Sequence, residues 1–355
     1  MRNHTRRGFS LIECMVLLVV IGLLVAVLAP MLGAARNRMR GMSSAEKLMQ
    51  IGQGGAMYAQ DNTDRLFSYS WAAGEVYIMP SGQARLPSDD REASGLQNQE
   101  ILIRRSMRLD GAYKILNFAR RVPHLRFSHL VLMDYLGQDP GTDAYIDPSD
   151  EKLLHWNATP LSYDANSTVP YSRVGVGWDY ERDWDASFIR QRWAFSSSYQ
   201  VVPDAWQGYE LGNRYVPQAD TPHLIEARGD PDLHSGQSFR SVLHPSNKVW
   251  VFEEFDRDRQ VAHYFGYDDA RVEKLMFDGS VNNWASGDAA PSVVPEFGLF
   301  HWRQRYVALH RFPQAVEGGA TSSESLSQRW RWTYGGLSGI NYGSFSFERE
   351  PSARD

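Results

Sequence analysis

From Cys14 to Ala35 the chain carries 22 consecutive uncharged residues, most of them Leu, Val, Ile, Met and Ala. At about 1.5 Å of rise per residue, a helix over that run spans roughly 30 Å, the thickness of a bilayer's hydrocarbon. Glu13 stands directly before the run, and Arg36, Arg38 and Arg40 follow it. Beyond them the apolar positions thin to helical spacing, with Ala45, Leu48, Met49 and Ile51 separated by Glu46, Lys47 and Gln50. The pattern predicts one helix from Phe9 to about Gln60, near 80 Å long if continuous. Pro30 deprives it of one backbone hydrogen bond and is expected to bend or loosen it. Gly52, Gly54 and Gly55 weaken it, and Asp61-Asn62 with Asp64 mark its end. Gly22, Gly33 and Ala34 are small enough to let neighbouring helices approach closely.

After the helix the pattern changes. Residues 80 to 100, with Pro80, Gly82, Pro87, Ser88, Asp89 and Asp90, read as a polar loop. Two further helices are predicted at Gln97 to Arg108 and at Phe127 to Leu136, the second with Leu130, Met133 and Leu136 on one side. Past Pro140 short apolar segments alternate with Gly, Pro, Asn and Asp, which predicts strands at Tyr171–Gly177, Arg192–Val202, Lys248–Phe255, Val272–Phe277 and Arg329–Tyr334. The expected fold class is α+β: a long N-terminal helix packed on a β-rich head.

The N-terminus resembles that of a type IV prepilin or a type II secretion pseudopilin. The residues that carry the likeness are Arg6-Arg7-Gly8-Phe9-Ser10-Leu11-Ile12-Glu13, the apolar run behind them, and Pro30. The resemblance implies a leader at residues 1–8, cut by prepilin peptidase between Gly8 and Phe9, with Phe9 then N-methylated. Glu13 becomes the fifth residue of the mature chain, and Pro30 stands where many pilins carry a helix-bending proline. It further implies a helix over 9–62 (transmembrane at about 14–35, then a spine) and a periplasmic or extracellular head over 63–355. The partners implied are other pilin or pseudopilin subunits, met through the helix in the inner membrane.

Two rival accounts of this segment fit less well. A secretory signal peptide has a shorter apolar core, about 7–15 residues, with a small-residue cleavage site behind it, and Ala29 or Ala34-Ala35 supply a poor one. A plain single-pass anchor needs neither Gly8-Phe9 nor Glu13. Charge does not orient the segment, because Arg2, Arg6 and Arg7 on one side balance Arg36, Arg38 and Arg40 on the other. An orientation with the N-terminus inside therefore rests on the resemblance.

A carboxylate in lipid is expensive and calls for a partner. Cutting at Gly8 frees a cationic amine on Phe9, which can neutralise Glu13 of its own or a neighbouring subunit. Glu13 is thus read as an assembly residue. A carboxylate in the first turn of any helix also gains from the helix dipole, which is the simpler alternative.

Composition adds limits. The 355 residues, 43% of them hydrophobic, suffice for a substantial core beyond the anchor. A formal net charge of −5 shows no basic bias toward nucleic acid. The one cysteine, Cys14, lies in the apolar run, so the head has no disulfide. The chain is rich in aromatics, with 11 Trp, 17 Tyr and 16 Phe, which suits cross-strand pairing and also a sugar-binding surface.

Catalytic motifs are missing: there is no Gly-x-Ser-x-Gly elbow, no His-Glu-x-x-His and no phosphate-cradling loop. Glu253-Glu254, adjacent on a strand, point to opposite faces. No enzyme is expected. No cofactor is expected either, although major pseudopilins commonly hold calcium, and acidic groups occur at Asp139/Asp143, Asp147/Asp150/Glu151, Asp183/Asp185, Asp256/Asp258 and Asp268/Asp269. None of these runs has a full calcium-ligand pattern.

A second likeness lies in the head. Lys248 to Glu254 and then Lys274 to Val281 resemble pilin-like heads with an H-x9-DG element, whose Asp278-Gly279 is a hairpin turn signal. The position that corresponds to the family's histidine is Asp268. Asp147 takes the place of a cysteine often found before Pro-Ser-Asp in these heads. The expected function is a structural subunit of a type II secretion pseudopilus or a type IV pilus-like filament, with the large head favouring a minor subunit. The rival is a membrane-tethered protein whose aromatic head recognises a glycan or an exported substrate.

Overall fold

The computed structural model describes residues 11–79, 81–106, 125–137, 143–150, 153–154, 197–206, 214–218, 221–228, 237–257, 263–292, 294–296, 299–301, 304–307 and 323–343. The chain divides into two compact units, Met1–Met42 and Ser43–Asp355. Helix α1, Leu11–Asp61, contributes residues to both, and Pro30 lies inside it. The division falls within the helix, and buried residues of its second half, Leu48 and Ile51, belong to the head's core.

Two short strands, β1 (Tyr77–Ile78) and β2 (Ala84–Arg85), form a hairpin before helix α2, Asp90–Ser106. This helix begins well before the start expected at Gln97, within the stretch whose polar composition reads as a loop. Asp89 accepts a hydrogen bond from Glu92 N at 2.8 Å, and Glu92 reaches back to accept from Ser88 N (2.8 Å) and Ser88 Oγ (2.9 Å). This is a reciprocal N-terminal capping arrangement, so the Ser/Asp-rich stretch is a start signal as well as a loop. Leu125–Leu132 is a 3₁₀ segment that runs into the short helix α3, Met133–Leu136. The i, i+3 spacing of Phe127, Leu130 and Met133, all buried, suits three residues per turn better than 3.6.

The centre of the head is a four-stranded antiparallel sheet made of β3 (Tyr199–Val201), β6 (Val249–Glu253), β9 (Lys274–Met276) and β10 (Val281–Asn282), in the order β10-β9-β6-β3. The remaining strands pair two by two: β4 (Arg214–Gln218) with β5 (Thr221–Arg228), β7 (Phe255–Asp256) with β8 (His263–Tyr264), β11 (Val294–Glu296) with β12 (Leu299–His301), and β13 (Gln304–Val307) with β14 (Ser323–Leu326). The architecture is α+β, as the pattern predicts. Of the expected strands, Tyr171–Gly177 and the first part of Arg192–Val202 lie outside the described residues. Arg329–Tyr334 is not a strand: Arg329 has φ +49°, and a 3₁₀ turn over Arg329–Arg331 buries successive side chains rather than alternating ones.

Register explains how the sheet meets the helix. Val201, Val251, Leu275 and Val281 form one cross-strand row, and Tyr199 pairs with Glu253. The pairing of β6 with β9 slips between Val249 and Val251, and this irregularity lets Trp250 share a face with Val251. The face so built receives α1 through Ser44, Leu48, Ile51, Gly52, Gly55 and Ala59, which are all buried. A Cβ on Gly52 would stand 3.1 Å from Leu275, and one on Gly55 would stand 2.3 Å from the Trp250 ring and 3.0 Å from Phe67. On another side of the helix, a Cβ on Gly54 would meet Leu136 at 2.9 Å. The three glycines that weaken the helix by propensity are thus the ones that let its neighbours pack close, a tryptophan among them. Met49, expected in the apolar stripe, is exposed instead. Trp250 also stacks on Phe277, with ring centres 5.2 Å apart, and meets Phe239 edge-on at 5.1 Å.

Alanine at Gly55 gains about 1 kcal/mol of helix propensity but overpacks the Trp250 contact, which costs about 1–3 kcal/mol. Gly55→Ala is therefore expected to lower the melting temperature, whereas Gln53→Ala on the exposed side of the same turn is expected not to. A Gly55→Ala protein that melts at or above the wild type would refute the close-packing account.

Candidate functional site

The first candidate site is the N-terminal part of α1. Glu13 lies in its first turn, followed by residues that are apolar all round the helix. The large apolar side chains from Leu11 to Leu32 are 48–76% exposed, and Cys14 is an exposed free thiol. A helix that is apolar on every side buries its surface in lipid or against other apolar helices. Among the described residues, α1 is the one helix long and apolar enough to cross a membrane. Gly22 and Gly33 have open space where a Cβ would be. The helix continues through Pro30, which has no N–H to donate to the preceding turn. Gly8 and Phe9 lie outside the described residues.

The prokaryotic N-terminal methylation motif matches residues 3–29. This chain is prepilin-like. The match covers Gly8, Phe9 and Glu13 and much of the apolar run, and stops short of the head. No curated protein and no solved structure matches the chain. The motif implies processing by prepilin peptidase and assembly with pilin-type subunits, and with the apolar helix it supports membrane anchoring.

The second candidate site of this prepilin-like chain is a buried polar cluster where the second half of α1 meets β3 and β6. Ser44 Oγ donates to Glu253 and lies 3.1 Å from Tyr199 Oη. One turn on, Lys47 Nζ donates to the carbonyls of Asp143 (2.7 Å) and Ile146 (2.6 Å). The segment those carbonyls belong to, Asp143–Asp150, is tied down further. Asp147 N donates to Ser198 Oγ at 3.0 Å, Ser198 Oγ donates to Asp150 at 2.9 Å, and Arg257 Nη2 donates to Asp150 at 2.7 Å. Glu253 and Asp147 are the facing carboxylates of the cluster. Burial, then the charge of Asp147 and a hydrogen bond with it, hold the Glu253 carboxyl well above its ordinary range. Burial likewise raises the Tyr199 phenol and lowers the Lys47 ammonium. Through Ser44, Glu253 clamps the helix to the sheet.

The other side of the sheet carries a separate network. Glu254 accepts from Gln200 Nε2 at 2.7 Å and stands 3.5 Å from Arg331, whose guanidinium lies 4.9 Å from the Phe265 ring centre. Glu253 and Glu254 therefore serve opposite faces, as their adjacency on a strand requires. Lys274 donates to the carbonyls of Val272 (2.6 Å) and Trp284 (2.8 Å) over the rings of Trp330 and Tyr342, and burial pushes its ammonium down to about 7.

Several other residues singled out in the sequence have structural partners. At Asp278-Gly279, Gly279 N donates to Met276 O at 3.0 Å with φ +86°, and Asp278 accepts from Ser280 N at 2.9 Å, closing the β9–β10 hairpin. Asp268 pairs with Arg329. Asp256 accepts from Arg271 N at 2.9 Å, and Asp269 lies 3.1 Å from His263 Nε2. Asp139, Glu151, Asp183, Asp185 and Asp258 lie outside the described residues. Among the described residues, no group of three or more His, Cys, Asp or Glu is placed to hold a metal ion.

A carboxyl whose pKa is raised by folding contributes stability that is complete below its ordinary value of 4.5 and is lost as pH rises through the folded-state value. Glu253→Gln, which mimics the neutral form, is expected to remove that loss. Melting curves of wild type and variant at a series of pH values from about 4 to 8 should diverge upward in favour of the variant. A constant difference at every pH would mean that Glu253 does not hold the proton.

Proposed function

We propose that the chain is a structural subunit of a filament, either a type II secretion pseudopilus or a type IV pilus-like fibre. The observation that carries this reading is the methylation motif over residues 3–29 on an all-round apolar helix. Prepilin peptidase cuts between Gly8 and Phe9, and Phe9 is then methylated. The precursor sits in the inner membrane with its N-terminus in the cytoplasm and its head on the periplasmic side. Glu13 pairs with the amine of Phe9 on its own or an adjacent subunit, because a lipid-facing carboxylate needs a cation to offset its desolvation. Pro30 loosens the helix between the anchor and the part that belongs to the head. A head of about 290 residues supports a minor or tip position over the bulk repeating one. A secreted substrate would meet the filament at such a head.

Intact-mass analysis of membrane-extracted protein from a host with active prepilin peptidase is expected to give a chain that begins at Phe9 and carries one added methyl group. Gly8→Val is expected to abolish the cut, and Glu13→Val to leave the cut intact while removing the protein from sheared filaments. A wild-type chain that keeps Met1 through Gly8 would overturn the reading and leave a tethered head.

A further inference from the structure

Four buried polar side chains from distant parts of the head meet where β6 begins. Lys248, directly before β6, is fully buried, and Asn341, Thr333 and Asp204 are buried beside it. Asp204 belongs to the 3₁₀ turn Pro203–Ala205 that follows β3. Lys248 Nζ donates to Asp204 Oδ2 at 3.2 Å and to Thr333 Oγ1. Asn341 Nδ2 donates to the same Thr333 oxygen at 2.8 Å, so the lysine amine and the carboxamide sit on one hydroxyl. Asn341 Oδ1 accepts from Val249 N at 2.9 Å, and Thr333 N donates to Asp204 Oδ2 at 3.1 Å. The main chain holds the carboxamide beside the lysine, because Asn341 N and Tyr342 N both donate to Asn247 O, at 2.9 and 3.1 Å.

An ion pair needs only Lys248 and Asp204. It does not need a carboxamide held beside the amine, with the amide oxygen on a main-chain N–H. Those additions complete a set for acyl transfer: an amine, an acyl carbon, a carboxylate that can carry a proton, and a donor where negative charge develops. We propose that Lys248 and Asn341 become joined by an isopeptide bond inside the head. Asp204 takes one proton from the Lys248 ammonium, which burial makes more acidic than that of an exposed lysine. The freed Nζ lone pair attacks Cγ of Asn341, and the charge that builds on Oδ1 faces the Val249 N–H. As the Nζ–Cγ bond forms, the Cγ–Nδ2 bond breaks, and a second Nζ proton passes to the departing nitrogen by way of the Thr333 hydroxyl. The ammonia so released takes the proton held by Asp204 and leaves as ammonium. Nothing is oxidised or reduced, and Asp204 ends as it began. The product replaces a fully buried ammonium with a neutral amide, which removes a desolvation cost. It also ties the entry to β6 to the segment that follows Thr333, a cross-link that limits the unfolded chain. The proposal does not depend on filament assembly.

The test is peptide mass spectrometry on the full chain, extracted in detergent, then denatured and digested with trypsin. The expected product is a branched peptide in which Lys248 is uncut and joined to Asn341, about 17 Da lighter than the two linear peptides together. Asp204→Asn is expected to keep a cooperative melting transition and to leave Lys248 cleavable and Asn341 unlinked. The wild-type digest decides the matter by itself if that variant folds poorly. Cleavage at Lys248 in folded wild-type protein, with Asn341 unmodified, would overturn the proposal. So would a loss of about 17 Da confined to the Asn341 peptide, which is ring closure of the asparagine onto its own backbone. A branched peptide about 18 Da light that joins Lys248 to Asp204 would overturn the choice of Asn341. A Lys248–Asn341 link that persists in Asp204→Asn would overturn the part given to Asp204.

Discussion

The approach of α1 to the central sheet is so close at Gly52 and Gly55 that the rest of the head is arranged around it. Leu275 and Trp250 fill the space that the two missing side chains leave open, and β6 has to slip its pairing with β9 to bring Trp250 onto the helix face. Phe67, Phe239 and Phe277 then pack against the indole, at ring-centre distances of 5.1–5.2 Å. The usual propensity cost of glycine inside a helix is about 1 kcal/mol per residue. Here that cost is offset by burying one of the largest side chains in the chain at a helix–sheet contact.

The same seam is polar at its other end. Ser44, Tyr199, Glu253 and Asp147 meet in a region with little access to water, and Lys47 caps carbonyls of the segment that carries Asp147. An apolar seam alone would tolerate sliding of the helix along the sheet, since dispersion and burial have no direction. Hydrogen bonds to Glu253 and to two specific carbonyls are directional and fix the helix at one register. The chemistry also accounts for buried carboxylates in a head without catalytic motifs.

Much of the N-terminus is legible residue by residue. Gly8, Phe9, Glu13 and the uncharged run are local in the chain, and the motif needs no folded context to be read. Helix α2 has a legible start too, in Ser88, Asp89 and Glu92, but the loop-like composition around those capping residues masks it. Arg329–Tyr334 reads as a strand because Trp, Tyr and Thr favour extended backbone, yet left-handed Arg329 and the burial of each successive side chain make it a turn. Propensity there is overruled by contacts with residues far away in the chain.

The sequence by itself determined the apolar helix, the methylation motif, the helical span and the α+β class, because each depends on short-range periodicity or on a contiguous motif. Tertiary structure decided which face of α1 is buried, the pairing of Glu253 with Asp147, the meeting of Lys248 and Asn341 at Thr333 and the role of the three helical glycines. Those features join residues far apart in the chain, 85 positions for Lys248 with Thr333 and 209 for Ser44 with Glu253. Nothing in local spacing encodes such a meeting. A glycine in a helix reads as a weakness until the tryptophan that needs its space is in view.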